Sequence, residues 1–272
     1  MRAPPSDTVT TMRIATWNVN SIRARLDRVL TWLTETGTEV LAMQETKCTD
    51  EQFPHLAFEE LGYEVAHHGL SQWNGVAIAS RVGLDDVETT FPGQPTWAEP
   101  PAVEARAIGA TCHGVRLWSV YVPNGRTLAD PHYAYKLDWL AALRGAAAAW
   151  LQAEPEAPIA LAGDWNVAPL DSDVWDIDLF EGATHVSVPE RAAFSAFADA
   201  GYREVSREHL PQAYTYWDYQ RLRFPRNEGM RIDFMWASPV LADRVTGAAI
   251  DRNQRKGKRP SDHVPVVVQV QQ

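Results

Sequence analysis

The chain has 272 residues, 45% of them hydrophobic and 22% charged, with a formal net charge of −10. That length suits one large domain or two small ones, and the composition excludes disorder as the main state. No run approaches the roughly 18 apolar residues of a membrane-spanning helix, and two cysteines, Cys48 and Cys112, are too few for a disulfide framework or a four-cysteine zinc site.

Residues 1–12 hold two prolines and no apolar core, so they read as a flexible N-terminal extension and not as a secretory signal, with Met12 as an alternative start. Ile14 to Val19 reads as a short buried strand. Ser21 is placed to cap a helix whose Ile22, Leu26, Val29, Leu30 and Leu33 share one face, and Gly37 stops it. Val40 to Met43 follows as a strand ending at Gln44-Glu45. Val76 to Ser80, Ala105 to Thr111 and Leu117 to Val122 are further strands, the last two joined by a turn at His113-Gly114. Between them Pro92 to Pro101 reads as a loop.

Tyr133 to Gln152 is the longest expected helix, with an apolar stripe of Leu137, Leu140, Leu143, Ala147 and Trp150. Ile159 to Ala162 is a strand running into Gly163-Asp164. Pro189 to Ala200 is a second long helix, its proline tolerated in the first turn. Ile232 to Ala237 and Val264 to Val270 are the closing strands. No low-complexity linker divides the chain, so residues 13–272 read as a single domain. Trp17-Asn18-Val19 and Trp165-Asn166-Val167 echo one another at two strand ends, which suggests two related half-structures meeting at one site.

Polar residues at strand ends carry the chemical signal. Asn18 and Asn20 follow the first strand, Glu45 the second, and Asp164 and Asn166 the strand from Ile159. Asp233 lies inside Arg231-Ile232-Asp233-Phe234-Met235, and Asp262-His263 precede the last strand. One such Asn or Asp is ordinarily a turn former or a cap. Asp233 resists that reading, and burying several carboxylates demands partners or a metal. Ligands in open α/β folds gather at strand ends.

Six short motifs in order resemble the exonuclease III family of apurinic/apyrimidinic endonucleases. They are Thr16-Trp17-Asn18-Val19-Asn20 with Arg23-Ala24-Arg25, Gln44-Glu45-Thr46-Lys47, Tyr121-Val122-Pro123-Asn124-Gly125, Gly163-Asp164-Trp165-Asn166, Arg231-Ile232-Asp233 and Ser261-Asp262-His263. The resemblance implies a DNase I-like four-layer α/β sandwich, two packed mixed β-sheets flanked by helices, with the site at one end. It implies Glu45 as a Mg²⁺ ligand with Asn18 nearby and Asp262 at a second position, Mn²⁺ serving as a substitute. Magnesium suits such oxygen ligands, and the lack of a Cys/His cluster disfavours zinc. Asp164, held by Asn166, is the implied group that orients or deprotonates the attacking water. Asp233 and His263 form an implied pair facing the phosphate, and Tyr121 is implied to hydrogen-bond it. The motifs do not decide which residue is the general base.

Substrate selection is read from the aromatic segment Tyr214 to Tyr219 and from Arg221, Arg223, Arg226 and Arg231 beyond it, since aromatics beside arginines suit bases and phosphates. Residues 252–259 add five cations. An acidic net charge argues against nucleic acid only globally, because binding is local. By motif position, Tyr216, Met230 and Ile232 are the implied lining of a pocket for a flipped, base-less sugar, with Trp217 beside them. The implied activity is Mg²⁺-dependent cleavage of duplex DNA 5′ to abasic sites, with 3′-end trimming and 3′–5′ exonuclease action, by a cytoplasmic monomer. The competing readings are a small-molecule phosphatase or phosphodiesterase of the same superfamily and a catalytically silent module that binds damaged DNA.

Overall fold

In the computed structural model, residues 10–272 are described, so most of the expected extension lies outside the described residues. Its boundary moves. The first strand, β1 (Thr11–Asn18), opens with Thr11 and Met12, which pair with Gln271 and Val270, and Met12 is fully buried. The last strand reaches far enough to offer both residues ladder partners.

Helix α1 (Ile22–Thr36) follows, then β2 (Val40–Gln44), the short α2 (His55–Glu59), β3 (Glu64–His68), β4 (Val76–Ser80) and β5 (Asp85–Glu88). The expected loop of residues 92–101 contains β6 (Thr96–Trp97), which folds onto β7 (Ala102–Val103). Strands β8 (Ala107–Cys112) and β9 (Val115–Tyr121) form the expected hairpin. His113 and Gly114 turn it with φ of 47° and 77°, the left-handed pair that a two-residue turn needs. Next come α3 (Pro131–Ala153), β10 (Ile159–Asp164), α4 (Val188–Asp199), β11 (Arg203–Glu204), α5 (Arg223–Arg226), β12 (Asp233–Ala237), α6 (Pro239–Ala242), β13 (Val245–Ile250) and β14 (Val266–Gln271).

The strands build two six-stranded mixed sheets, ordered β13-β14-β1-β2-β4-β3 and β11-β12-β10-β9-β8-β5. Strand for strand, the two share one pattern of sense. In each, the only parallel pair is central, β1 with β2 and β10 with β9, and all other neighbours are antiparallel. The Trp-Asn-Val echo belongs to this repetition. Trp17 and Trp165 are both fully buried, and each donates its indole N–H at 3.2 Å to a main-chain carbonyl of the neighbouring antiparallel segment, His263 and Phe234 respectively.

Strand periodicity sorts the core into layers. Met12, Ile14, Val40, Ala42 and Ile78 of one sheet pack face to face with Ile108, Leu117, Ala160, Ala162 and Met235 of the other. On the outer faces, Ala15, Trp17, Leu41 and Met43 pack under α1, while Trp118, Leu161, Phe234 and Trp236 pack under α3 and α4. This is a helix–sheet–sheet–helix sandwich. The α3 stripe is centred on Trp139, Leu140, Leu143 and Ala147, and Leu137 stands only half-buried at its margin.

Followed along the strands, the inner face changes character. Met12 and Ile14 lead to Thr16 and Asn18; Val40 and Ala42 lead to Gln44; Leu117 leads to Ser119 and Tyr121; Ala160 and Ala162 lead to Asp164. Gln44 Nε2 joins Thr16 Oγ1 at 3.0 Å and Ser119 Oγ at 2.9 Å, a polar floor at the end of the apolar core. All four central strands therefore deliver polar side chains to the same end of the sandwich.

Candidate active site

Register places the first contacts. Asp164 stands opposite Tyr121 on one side and Asp233 on the other, at the edge where three strands finish or begin. Asn18 bridges the two sheets, its Nδ2 donating to Glu45 Oε1 at 2.8 Å and to Asp164 Oδ2 at 2.9 Å. Asn166 N–H donates to Asp164 Oδ1 at 3.0 Å, and Asn166 Nδ2 donates to the Val122 carbonyl at 2.9 Å. His263 Nδ1 lies 2.9 Å from Asp233 Oδ2, and its Nε2 lies 3.7 Å from Asp164 Oδ2. Glu45, Asp164 and His263 each offer a ligand atom within 4.8 Å of the others. The expected residues Asn18, Glu45, Tyr121, Asp164, Asn166, Asp233 and His263 thus meet in one cleft.

Backbone strain clusters at the same place. Asn20, Glu45, Lys47, Asn166 and His185 all have positive φ, between 43° and 76°. Non-glycine residues seldom adopt this conformation, and such positions gather at functional sites. The turn after β2 is held by main-chain bonds: Ser21 N–H and Ile22 N–H donate to the Glu45 and Thr46 carbonyls at 2.7 and 3.1 Å. Ser21 occupies the N-cap position of α1 as expected, yet its side chain makes no capping bond, because the Glu45 loop takes the first helical N–H groups instead.

Charge in the cleft is unevenly compensated. Burial raises the Asp164 carboxyl to about 7; His263 opposes this, while the nearby Asp233 and Glu45 carboxylates reinforce it. Burial opposes the charged form of His263, but Asp233 and Asp164 outweigh it and raise the imidazole well above its ordinary range. Burial pushes the Tyr121 phenol well above its usual value, aided by the Glu45 carboxylate, so its hydroxyl keeps its proton. For Glu45, burial is overcome by the Lys47 ammonium at 2.6 Å and the Asn18 amide, and the carboxyl falls below its usual range. Three carboxylates converge here with one imidazolium and one lysine. The excess negative charge and the all-oxygen donors Glu45, Asp164 and Asn18 fit a hard divalent cation.

Asp262 lies apart from that trio. Its carboxylate accepts from Asn20 Nδ2 at 3.0 Å, and Asn20 in turn accepts from Lys47 Nζ at 2.5 Å. Tyr216 packs its ring 4.9 Å from His263, and Tyr216, Met230, Ile232, Val174 and Ala168 form a small apolar cluster next to it. Trp217 is corrected. It is 1% exposed, with Phe224 edge-on and Arg252 over its ring, so it supports the pocket from behind and offers no face for stacking. Arg231 and Arg255 are likewise buried, Arg231 holding the Leu210 carbonyl and Ser206 Oγ, and Arg255 the Trp217 carbonyl. Arg223 is paired with Glu228 and lies over Trp175, whereas Arg221 is exposed.

Sequence reasoning missed three contributors. Arg106, 5% exposed and paired with Glu104, lies 4.8 Å under the Tyr121 ring. His185 Nε2 reaches Asn166 Oδ1 at 3.1 Å from a loop with no readable pattern. Lys136 is buried beneath the same loops, and its place on the apolar face of α3, in step with Leu140, Leu143 and Ala147, is the signal that could have revealed it.

A family model described as the Endonuclease/Exonuclease/phosphatase family matches residues 15–263. The chain belongs to this family. Within the endonuclease/exonuclease/phosphatase family, it is similar to the exodeoxyribonuclease III of Haemophilus influenzae, 29% identical over 94% of this chain and 98% of that protein. It is also similar in structure to a 3′–5′ exonuclease (NExo) from Neisseria meningitidis, 35% identical, with a TM-score of 0.90 over 96% of this chain and 100% of the other. An AP endonuclease from Archaeoglobus fulgidus, also 35% identical, superposes with a TM-score of 0.86 over 94% of this chain and 98% of the other. The four-layer sandwich is thus the family's fold, and the six sequence motifs fall within the matched span.

Proposed function

We infer that the protein is a Mg²⁺-dependent DNA-repair phosphodiesterase that cuts duplex DNA 5′ to abasic sites and trims blocked 3′ ends, with 3′–5′ exonuclease action at the same centre. The observation that carries this reading is the convergence of Glu45, Asp164 and His263 within 4.8 Å, with Asp233 behind His263. A phosphodiester is an anion that repels a water nucleophile, so its cleavage needs cations at the phosphate and a base for water. Glu45 and Asp164, with Asn18 beside them, would hold the metal, and Asp262 would serve a second position; Mn²⁺ is the expected substitute. Bound there, the metal would neutralise the phosphate and stabilise the leaving oxygen.

The side chains supply the rest. His263 is held protonated by Asp233 and directs Nε2 toward the phosphate position as a cationic donor. Tyr121, kept protonated, donates its hydroxyl to a second phosphate oxygen. Asp164 is the group that orients the attacking water and takes its proton, because its own titration lies near neutrality while His263 is already charged. The apolar cluster of Tyr216, Met230 and Ile232 is a lining suited to a sugar that has lost its base, where extrusion costs least.

The test is cleavage of a labelled duplex with one abasic-site analogue, run with Mg²⁺ and with EDTA, beside an intact duplex and a duplex with a 3′-phosphate. A metal-dependent cut immediately 5′ of the lesion, with release of the 3′-phosphate, is expected. Hydrolysis of inositol phosphates with all three DNA substrates untouched would replace this reading with the small-molecule phosphatase. Gel filtration of the active fraction tests the monomer.

A further inference from the structure

Lys136 and Glu190 form an ion pair in which both side chains are 0% exposed. Glu190 already has a local task. It completes the capping box of α4 with Ser187, a pattern legible as Ser187-Val188-Pro189-Glu190. That task needs no lysine. Yet Lys136, one helix away, spends all three of its N–H donors here. One goes to Glu190, one to the Asn166 carbonyl at 2.6 Å and one to the Asn124 carbonyl at 3.2 Å. Glu190 Oε1 also accepts the His185 N–H at 2.9 Å. The backbone passes close over the lysine stem: a Cβ on Gly125 would stand 3.1 Å from Lys136 Cδ, and Gly125 has a φ of 89°.

Asn124, Asn166 and His185 therefore have their main chains tied to one buried pair. Their side chains meet on the cleft side. Asn124 Nδ2 and His185 Nε2 both reach Asn166 Oδ1, at 3.2 and 3.1 Å, and the Asn166 N–H grips Asp164. Stability alone is a poor reason for this arrangement, since a buried ion pair is often matched by apolar residues of similar volume.

We propose that Lys136 and Glu190 are a positioning pair for phosphodiester cleavage: they fix the Asn124–Asn166–His185 cluster, and through it the orientation of Asp164. The inference rests on the nuclease reading above for the reaction it serves, while the geometry it predicts can be read without that reaction. Misplacing a reacting group by about an ångström can cost about 10²-fold in rate.

The variants are Lys136→Met, Glu190→Gln and the two combined. On the 3′-phosphate duplex, each is expected to lower kcat by about 10²-fold while KM stays within about threefold. In the double variant no buried charge is left unpaired, so thermal stability should recover and kcat should not. The ring-nitrogen resonances of His185 and the side-chain amide resonances of Asn166 should move in all three, because their hydrogen bonds lose their frame. The double variant also answers where a single variant does not fold. A double variant with wild-type kcat and unmoved His185 and Asn166 signals would reduce the pair to a structural element and overturn the proposal. Should wild-type protein leave every DNA substrate intact, the nuclease reading fails, and the resonances of His185 and Asn166 alone decide whether the pair sets their geometry.

Discussion

Asp164 shows why single side chains in this cleft are not interchangeable with their neutral isosteres. Both of its oxygens accept from donors, Asn166 N–H on one and Asn18 Nδ2 on the other. An asparagine there keeps the size but turns one acceptor into a donor facing another donor. Asp164→Asn is therefore expected to fold and bind DNA within a few-fold of wild type, with kcat lower by about 10²-fold or more, the usual worth of a positioned base. Activity within a few-fold of wild type would remove Asp164 from the proton transfer. The same residue sets a pH dependence. Burial, with Asp233 and Glu45 behind it, raises its carboxyl to about 7, so below that pH a proton competes with the metal for the carboxylate. Metal affinity should climb as pH rises toward 7 and level off above it. Manganese binding followed by electron paramagnetic resonance checks this, and an affinity unchanged from acid to neutral pH would show that Asp164 takes no part in holding the ion.

At the scale of elements, legibility followed burial. Strands at the centre of each sheet are covered on both faces, so Ile14 to Val19, Val40 to Met43, Val76 to Ser80 and Ile159 to Ala162 stand out as apolar runs, and polar residues just beyond them mark the cleft. The outer strands carry no such run. β3 buries only Ala66 fully, and β13, Val-Thr-Gly-Ala-Ala-Ile, is half-exposed with a bulge between Val245 and Gly247. The arginines past Tyr219 misled for a related reason. Composition cannot distinguish a cation that faces solvent, such as Arg221, from one that holds carbonyls in the interior, such as Arg231. The segment from Thr215 to Trp217 was legible as aromatic but not as structure: it is pinned by main-chain bonds to Met230, Asp262 and Val264, which brings Tyr216 between the pocket and His263. If that placement recognises the missing base, Tyr216→Ala should lower cleavage at abasic sites about tenfold more than removal of a 3′-phosphate, since losing an aromatic contact costs about 1–3 kcal/mol. Equal losses on the two substrates would assign Tyr216 to holding His263 alone.

The whole molecule must bring an acidic chain to a polyanion. A net charge of −10 describes the sum, but the cations are sorted by place. Lys136, Arg106, Arg231 and Arg255 are buried and spend their charge on the fold. Arg23, Arg25, Arg28, Lys258 and Arg259 line one groove between α1 and the residue 252–259 loop, beside the cleft on the Asn20 and Asp262 side. Arg28 is committed to the Lys256 and Lys258 carbonyls, so it shapes that loop, whereas Lys258 and Arg259 are exposed. Duplex bound along this groove would release counterions, and the logarithm of affinity should fall linearly with the logarithm of salt, by about 0.9 for each phosphate neutralised. Replacing both Lys258 and Arg259 by alanine should then flatten that slope by about two while leaving kcat at saturating DNA unchanged, because neither residue touches the cleft. An unaltered slope would place the duplex on another face, and a wild-type affinity indifferent to salt would favour a small phosphate ester over DNA as the substrate.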